Sequence, residues 1–437
     1  MLPYALFHQY HHIMTSNTRT VGILLLCALA SWPAAGQQFV ETAPEDVGFS
    51  GERLARLDAV IEHNIAEENL AGAVSFIARK GKAVRFRAYG MRDREAEIPM
   101  TTDTIFRIAS MSKAVTSVAV MILYEEGHFL LGDPVSSFIP EFKDAVVAVA
   151  RPEDAPDSVA FVTERAKRPI SIHDLLTHKA GLTYGSGLAS DAYQEAGLSG
   201  WYFADREETI GDAITRLATL PLHGHPGDAW QYGFSTDVLG YFVEVVSGMP
   251  LDQFFKERIF DPLKMEDTSF FLPPEKADRL APVYGIGASG ALELREPTAT
   301  TDYIHGPRQC FSGGAGLLST TSDYGRFLQM LLQGGQLDGA RILSPKTVEL
   351  MQADNSGDMY PWDKTGFGLG FWVVTDVGQY GELGSNGAYG WGSAYYPIYW
   401  IDPEEELIGM IMTQLMPAGG LTLNRLFTTL TYQALVD

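Results

Sequence analysis

The chain has 437 residues, 46% apolar and 20% charged, with 32 basic against 54 acidic side chains and a formal charge of −22. Its length exceeds the roughly 250–300 residues at which one hydrophobic core stops growing, so two lobes or a large two-part domain are expected. The composition excludes a disordered, collagenous or coiled-coil chain, and so acidic a surface excludes nucleic acid and anionic lipid as electrostatic partners.

The first segment reads as a secretory signal peptide over residues 1–36. Arg19 precedes an apolar run, Val21–Ala30, and then the small-residue stretch Ser31-Trp-Pro-Ala-Ala-Gly36. A run of that length is too short to span a bilayer, which takes about 20 residues. The expectation is an exported bacterial protein, periplasmic or secreted, with no stable membrane association once the signal is cut. Cys27 falls inside the signal. Cys310 is then alone, and reads as a small buried apolar residue rather than a catalytic thiol.

Gly72–Lys80 and Lys82–Tyr89 read as two strands joined at Lys80-Gly81. Thr104–Ala109 is strand-like. Ser110–Gly127 reads as a helix with Val115, Val118, Ala119, Ile122 and Leu123 on one face. Ser171-Ile-His-Asp174 has the form of a capping box before a short helix. Residues 140–170 and 182–208 read as loops. Further helices are expected over 237–247, 252–262, 322–334, 345–353 and 422–434. Gly368–Thr375, Trp391–Ile401 and Leu407–Gln414 read as strands, with Asp402-Pro403 a turn. Strands at both ends and helices between predict an α/β (α+β) chain. Residues 37–135 and 310–437 would build an antiparallel sheet flanked by helices, and 136–309 a mainly helical region.

No G-x-S-x-G elbow occurs. The chain has a single S-x-x-K, Ser110-Met-Ser-Lys113. Such a short pattern arises by chance in a chain of this length, so its setting matters more than its letters. On a helix the spacing puts both side chains on one face. Ser110 would sit at the helix N-terminus, where free N–H groups favour a developing negative charge. A serine hydroxyl needs a neighbour to take its proton, and a lysine in a suitable environment can do so. A capping serine beside a solvated lysine is the plain alternative.

Several stretches resemble the serine β-lactamase and penicillin-binding-protein superfamily, closest to its class C β-lactamases and family VIII carboxylesterases. They are Phe106-Arg-Ile-Ala-Ser-Met-Ser-Lys113, Ile172-His-Asp-Leu-Leu-Thr-His-Lys-Ala-Gly-Leu182, Ser312-Gly-Gly-Ala-Gly-Leu-Leu-Ser-Thr320 and Gly339-Ala-Arg-Ile-Leu-Ser-Pro345. They run in the family's order, and the resemblance extends from about residue 45 to the C-terminus. It implies the β-lactamase/transpeptidase-like fold and a serine hydrolase that uses no metal or cofactor.

The family's second motif opens on Tyr, commonly Tyr-x-Asn, and the matching stretch is Tyr232-Gly-Phe-Ser-Thr-Asp-Val-Leu-Gly240. Phe234 stands where β-lactamases usually carry Asn. For the third motif, commonly Lys-Thr-Gly, the match is Trp391-Gly392-Ser393, followed by Ala394. Trp in place of Lys removes a cation from the site and adds flat apolar surface. The resemblance thus implies Ser110, Lys113 and Tyr232 as catalytic residues. It gives the oxyanion to the N–H groups of Ser110 and Ala394, and substrate contact to Phe234, Trp391, Gly392 and Ser393. The expected activity is cleavage of small carboxylic esters through an acyl-enzyme on Ser110. The alternatives are a β-lactamase, a D-amino-acid peptidase or DD-carboxypeptidase, and a catalytically silent binding homologue.

Other patterns carry less. Gly285-x-Gly287-x-x-Gly290 has no clear helix after it and reads as a hairpin or loop. His173 and His178 read as structural, and His223-Gly-His225 as a loop. No H-E-x-x-H or C-x-x-C supports a zinc site. Tyr389, Tyr395, Tyr396, Tyr399 and Trp400 crowd the third motif and read equally as a sheet face or a substrate wall.

Overall fold

The computed structural model describes residues 39–437 apart from 155, 157–159 and 363–364, so the expected signal peptide lies outside the described residues. Eight strands form the main sheet. They are β1 (Gly72–Arg79), β2 (Lys82–Asp93), β3 (Ile98–Pro99), β4 (Thr365–Phe367), β5 (Trp372–Val374), β6 (Tyr389–Gly392), β7 (Ile398–Asp402) and β8 (Leu407–Met412). Their order is β4-β5-β6-β7-β8-β1-β2-β3, and every pairing is antiparallel. The two ends of the chain meet where β1 pairs with β8, placing Phe76 opposite Met410 and Ile77 opposite Gly409.

Strand alternation gives the sheet two apolar faces. Ala73, Ile77, Trp400 and Ile411 face one layer with α1 (Gly51–Ala66) and the C-terminal helix. Val74, Phe76, Ile408 and Met410 belong to the larger core, which holds α2 (Ser112–Glu125), α3 (Ser235–Ser247) and α4 (Thr321–Leu332). The C-terminal helix is α5 (Leu423–Tyr432). Burial of α2 is nearly all-round: every residue from Ser112 to Leu123 is buried. Its expected apolar stripe is therefore part of a central core helix, as its hydrophobicity on all sides requires.

The Ser171 capping box is present, with Ser171 and Asp174 satisfying each other's backbone N–H groups. Four expectations need correction. Residues 140–170 are not all loop, because Val146–Ala150 and Phe161–Arg165 pair as a hairpin. Residues 182–208 are not all loop either, because Ser190–Glu195 is helical. Gly368–Thr375 is not one strand. The chain turns at Gly370, whose φ is +101° and where a Cβ would lie 2.4 Å from Ser117 Oγ; only Gly passes this close to α2. Trp391–Ile401 is likewise two strands, β6 and β7. The turn between them carries Tyr396 at φ 74° ahead of Pro397. The Gly285–Gly290 pattern forms the tip of a hairpin between Val283–Ile286 and Leu292–Glu296.

Candidate active site

Ser110 follows a short strand, Ile105–Arg107, that pairs with Leu318–Thr320. It lies in a 3-10 turn, Ala109–Met111, that leads into α2, so the α-helix proper starts two residues later than the sequence predicts. Ala109 is held at φ 34°, a left-handed backbone that costs on the order of 1–2 kcal/mol for a residue with a Cβ. The serine is thus offered from a strained shoulder at a helix entrance, where the first N–H groups have no helical partner.

Lys113 is 2% exposed. Its Nζ donates to Gly314 O at 2.7 Å, Tyr184 OH at 3.1 Å and Ser110 Oγ at 3.3 Å. Three partners match the three donors of an ammonium. Its cation also lies 4.6 Å from the centre of the Tyr232 ring. Tyr232 OH donates to Ser110 Oγ at 2.8 Å and receives Trp391 Nε1 at 3.4 Å. Ser110, Lys113, Tyr232 and Trp391 therefore form one connected network.

Two features place Tyr232. It stands two residues before the Phe234 N-cap of α3, and Gly233 behind it packs against Thr183, where a Cβ would fall 2.4 Å from the Thr183 Cα. That close approach brings the Thr183-Tyr184 segment beside the tyrosine. Neutral His178 packs its ring 4.9 Å from the Tyr232 ring. Burial, together with the nearby Lys113 charge, holds its imidazole well below the usual histidine range. Sequence reading had His178 as structural, and the packing agrees. His173 instead meets Asn355 Oδ1 at 3.3 Å.

Beneath Lys113 lies Asp237, fully buried in α3. Its Oδ1 accepts Ser312 Oγ at 2.5 Å and Gly314 N–H at 3.0 Å. It thereby fixes the residue whose carbonyl receives the lysine. Burial pushes the carboxyl above its ordinary value, and Lys113, Ser312 and Gly314 pull it partly back.

The cleft above Ser110 has a volume of about 500 Å³. Trp391, Gly392, Ser393 and Ala394 line it, as expected, together with Tyr184, Trp201, Tyr360, Trp362 and Trp372. Among the described residues no charged side chain lines it. Ala394 sits in the β6–β7 turn, and its N–H enters no backbone hydrogen bond among the described residues.

Phe234 is a correction. It does not reach the cleft: it is fully buried, with its ring edge-on to Tyr184 at 4.9 Å and to Phe203 at 6.0 Å. An apolar side chain at the start of α3 gains more from that core than from the open site, so it supports Tyr184 from below. The tyrosines of the third motif are a second outcome. Tyr389, Tyr395, Tyr399 and Trp400 are buried, and Tyr396 OH donates to Leu421 O. Tyr389, Tyr399 and Trp400 pack on sheet faces, Tyr395 and Tyr396 lie in the β6–β7 turn, and none of the five lines the cleft.

Sequence reasoning missed Tyr184, Trp201, Tyr360, Trp362 and Trp372. Four of them lie in irregular segments, where no periodicity marks a side chain as facing the site. Cys310 is buried, and its environment pushes the thiol far above the reactive range. Among the described residues no three His, Cys, Asp or Glu side chains are placed to hold a metal.

With this geometry in hand, comparison with known proteins is informative. The family model described as Beta-lactamase matches residues 57–430. Protein Rv1367c of Mycobacterium tuberculosis is 37% identical, over 80% of this chain and 86% of its own length. Esterase EstB of Burkholderia gladioli is 31% identical, over 82% of this chain and 90% of its own. Among solved structures, EstCE1, a hydrolase with promiscuous acyltransferase activity, superposes with a TM-score of 0.72. It is 28% identical and covers 88% of this chain and 98% of its own. A family match spanning most of the chain and an Oγ–Nζ–phenol network at one point agree: the chain belongs to the beta-lactamase family and is a serine hydrolase of β-lactamase/transpeptidase-like fold.

Proposed function

We propose that the protein hydrolyses carboxylic esters with neutral, apolar acyl groups. The observation that carries this reading is the cleft itself: Ser110, bonded to Lys113 and Tyr232, lies among seven aromatic residues, Tyr232 included, and among the described residues no charged side chain lines it. β-Lactams and peptides with a free C-terminus present a carboxylate to such a site, and Trp391 offers a single N–H donor but no cation to receive it. A neutral ester buries its acyl chain against the indoles without stranding a charge. The esterase name among the relatives supports the same choice.

In this mechanism the Lys113–Tyr232 pair enters one proton short, as amine with phenol or as ammonium with phenolate; Ser110 Oγ attacks the acyl carbon and its proton passes to that pair. The carbonyl oxygen becomes an oxyanion held by the N–H groups of Ser110 and Ala394; two such donors contribute several kcal/mol to the barrier reduction. Collapse breaks the ester C–O bond, and the alcohol leaves with the proton from the Lys113–Tyr232 pair. Water then attacks the acyl-enzyme, gives its proton to the same pair, and the acid departs as Ser110 Oγ regains a proton. We further propose that this happens outside the cytoplasm, from the signal-like residues 19–36; N-terminal sequencing of exported protein tests that point.

The test is a comparison of kcat/KM for residues 37–437 on p-nitrophenyl butyrate and on nitrocefin. The expected result is a preference for the ester of about two orders of magnitude or more. Nitrocefin turnover equal to ester turnover would overturn the reading in favour of a β-lactamase.

A further inference from the structure

The two halves of an ester meet different walls of the cleft. The alcohol must receive its proton from the Lys113–Tyr232 pair, and of that pair only Tyr232 lines the cleft. The alcohol oxygen therefore comes within hydrogen-bond reach of the phenol. On another side, Ala394 and Trp201 pack on the cluster that holds Ala109 and Tyr395, with the Trp201 and Tyr395 rings 5.6 Å apart. That wall adjoins the oxyanion donors and is left to the acyl half.

The alcohol wall is aromatic from end to end. Trp230 stacks on Tyr232, with ring centres 5.8 Å apart and planes at 13°. Tyr360 and Trp362 meet Trp230 edge-on at 5.0 and 5.2 Å, and each other at 4.9 Å. Rings thus run without a break from the proton donor to the rim, where Tyr360 and Trp362 line the cleft. Trp362 is 55% exposed, more than any other tryptophan among the described residues, and Met359 beside it is 42% exposed. Contiguous apolar surface of this kind at the edge of a cleft is a mark of ligand contact.

The segment that carries these rings is fixed at both ends. Asp354 Oδ1 accepts the N–H groups of Ser356 at 2.9 Å and Phe367 at 3.1 Å. Lys179 Nζ donates to Asn355 O at 2.8 Å, and His173 Nε2 meets Asn355 Oδ1 at 3.3 Å. At the far end Thr365 Oγ1 donates to Trp362 O at 3.0 Å. A wall held in this way loses little freedom when a ligand packs on it.

We propose that the enzyme selects esters of arylalkyl alcohols, and that Trp362 and Tyr360 are the residues that read the alcohol's ring. The inference rests on the esterase reading and adds the alcohol half to it. Aromatic rings in edge-on or offset contact gain stability beyond the area they bury, which a saturated ring of the same size does not.

The test compares kcat/KM of residues 37–437 on 2-phenylethyl butyrate and 2-cyclohexylethyl butyrate. Both alcohols are poor, similar leaving groups, and the saturated ring buries at least as much apolar surface, so a preference for the phenyl ester reports ring contacts. The wild type should prefer it by about threefold to tenfold. Trp362→Ala should bring the two esters within about twofold of each other, and Trp362→Phe should keep most of the preference. Tyr360→Leu gives an independent second reading, with thermal midpoints showing that each variant is folded. Trp201→Ala should instead shift the ratio between butyryl and octanoyl esters and keep the preference for the phenyl alcohol. Equal turnover of the two esters by the wild type would overturn the inference and leave the esterase reading standing. So would a preference that survives both Trp362→Ala and Tyr360→Leu. If neither ester nor p-nitrophenyl butyrate is cleaved, the esterase reading itself fails and takes the inference with it.

Discussion

Three hydrogen bonds decide what Ser110 can do. Its Oγ is approached by Lys113 at 3.3 Å and by Tyr232 at 2.8 Å, and Trp391 holds the phenol from the other side. If the phenol carries protons in both half-reactions, Tyr232→Phe lowers kcat by about 10²–10⁴-fold with the thermal midpoint unchanged. Turnover within a factor of a few of wild type would remove Tyr232 from the relay. Asp237 acts one step further back, as a positioning residue for Lys113 through Ser312 and Gly314. Asp237→Asn keeps an acceptor for the Gly314 N–H but deletes the buried negative charge. We expect kcat/KM to fall about tenfold or more. The loss should fall in kcat with KM nearly unchanged, since Asp237 reaches the reaction only by placing Lys113. A loss confined to KM, or one matched by a lowered thermal midpoint, would show a purely structural carboxylate.

The residues legible from sequence were those fixed by a local rule. Ser110 and Lys113 share a helical spacing, and Tyr232 stands at a helix start. Phe234 falls outside the cleft because an irregular entry to a helix hides which way a side chain points, and here the core takes it. Tyr184 reaches the site through tertiary contacts alone, the Gly233–Thr183 approach 50 residues apart in sequence and the bond from Lys113.

At the scale of elements, the β1–β2 hairpin and helices α2 to α5 follow from periodicity and form within about four residues of the expected bounds, whereas α1, the longest helix, is not among the expected elements. The misread elements share a cause. Gly370 and Tyr396 turn the chain inside apolar runs, so hydrophobicity alone reads two strands as one. The start of α4 carries an energetic oddity. Asp323 accepts Thr268 Oγ1 at 2.9 Å and Asp267 N–H at 2.7 Å, yet burial raises its carboxyl from 3.8 to about 6. A folded-state value above the unfolded one means stability that is fully present below about pH 4 and is lost as pH rises through about 6. The loss is on the order of 3 kcal/mol at full ionisation. Asp323→Asn keeps an acceptor and removes the titration. Its thermal midpoint should therefore gain on wild type between pH 5 and pH 7.5, read by circular dichroism. A constant difference across that range would contradict the assignment.

For the molecule as a whole, the −22 charge and the aromatic cleft act on different steps. The field repels anions at a distance, and salt screens it with a Debye length of about 10 Å at 0.1 M. An anionic ester such as p-nitrophenyl succinate should gain several-fold in kcat/KM between low and moderate ionic strength, with p-nitrophenyl butyrate unchanged. Equal salt responses would show that charge plays no part in selection. The sheet built from both chain ends brings the third motif, near residue 391, over a serine at 110, which no local reading of either segment specifies.

The central claim is that ester cleavage runs through an acyl group on Ser110. Rapid acid quench of the enzyme turning over p-nitrophenyl butyrate, followed by peptide mass mapping, tests it most directly. The account predicts one butyryl group on the peptide containing Ser110, absent in Ser110→Ala together with turnover. Hydrolysis that persists in Ser110→Ala, or an acyl group found on any other residue, would contradict it.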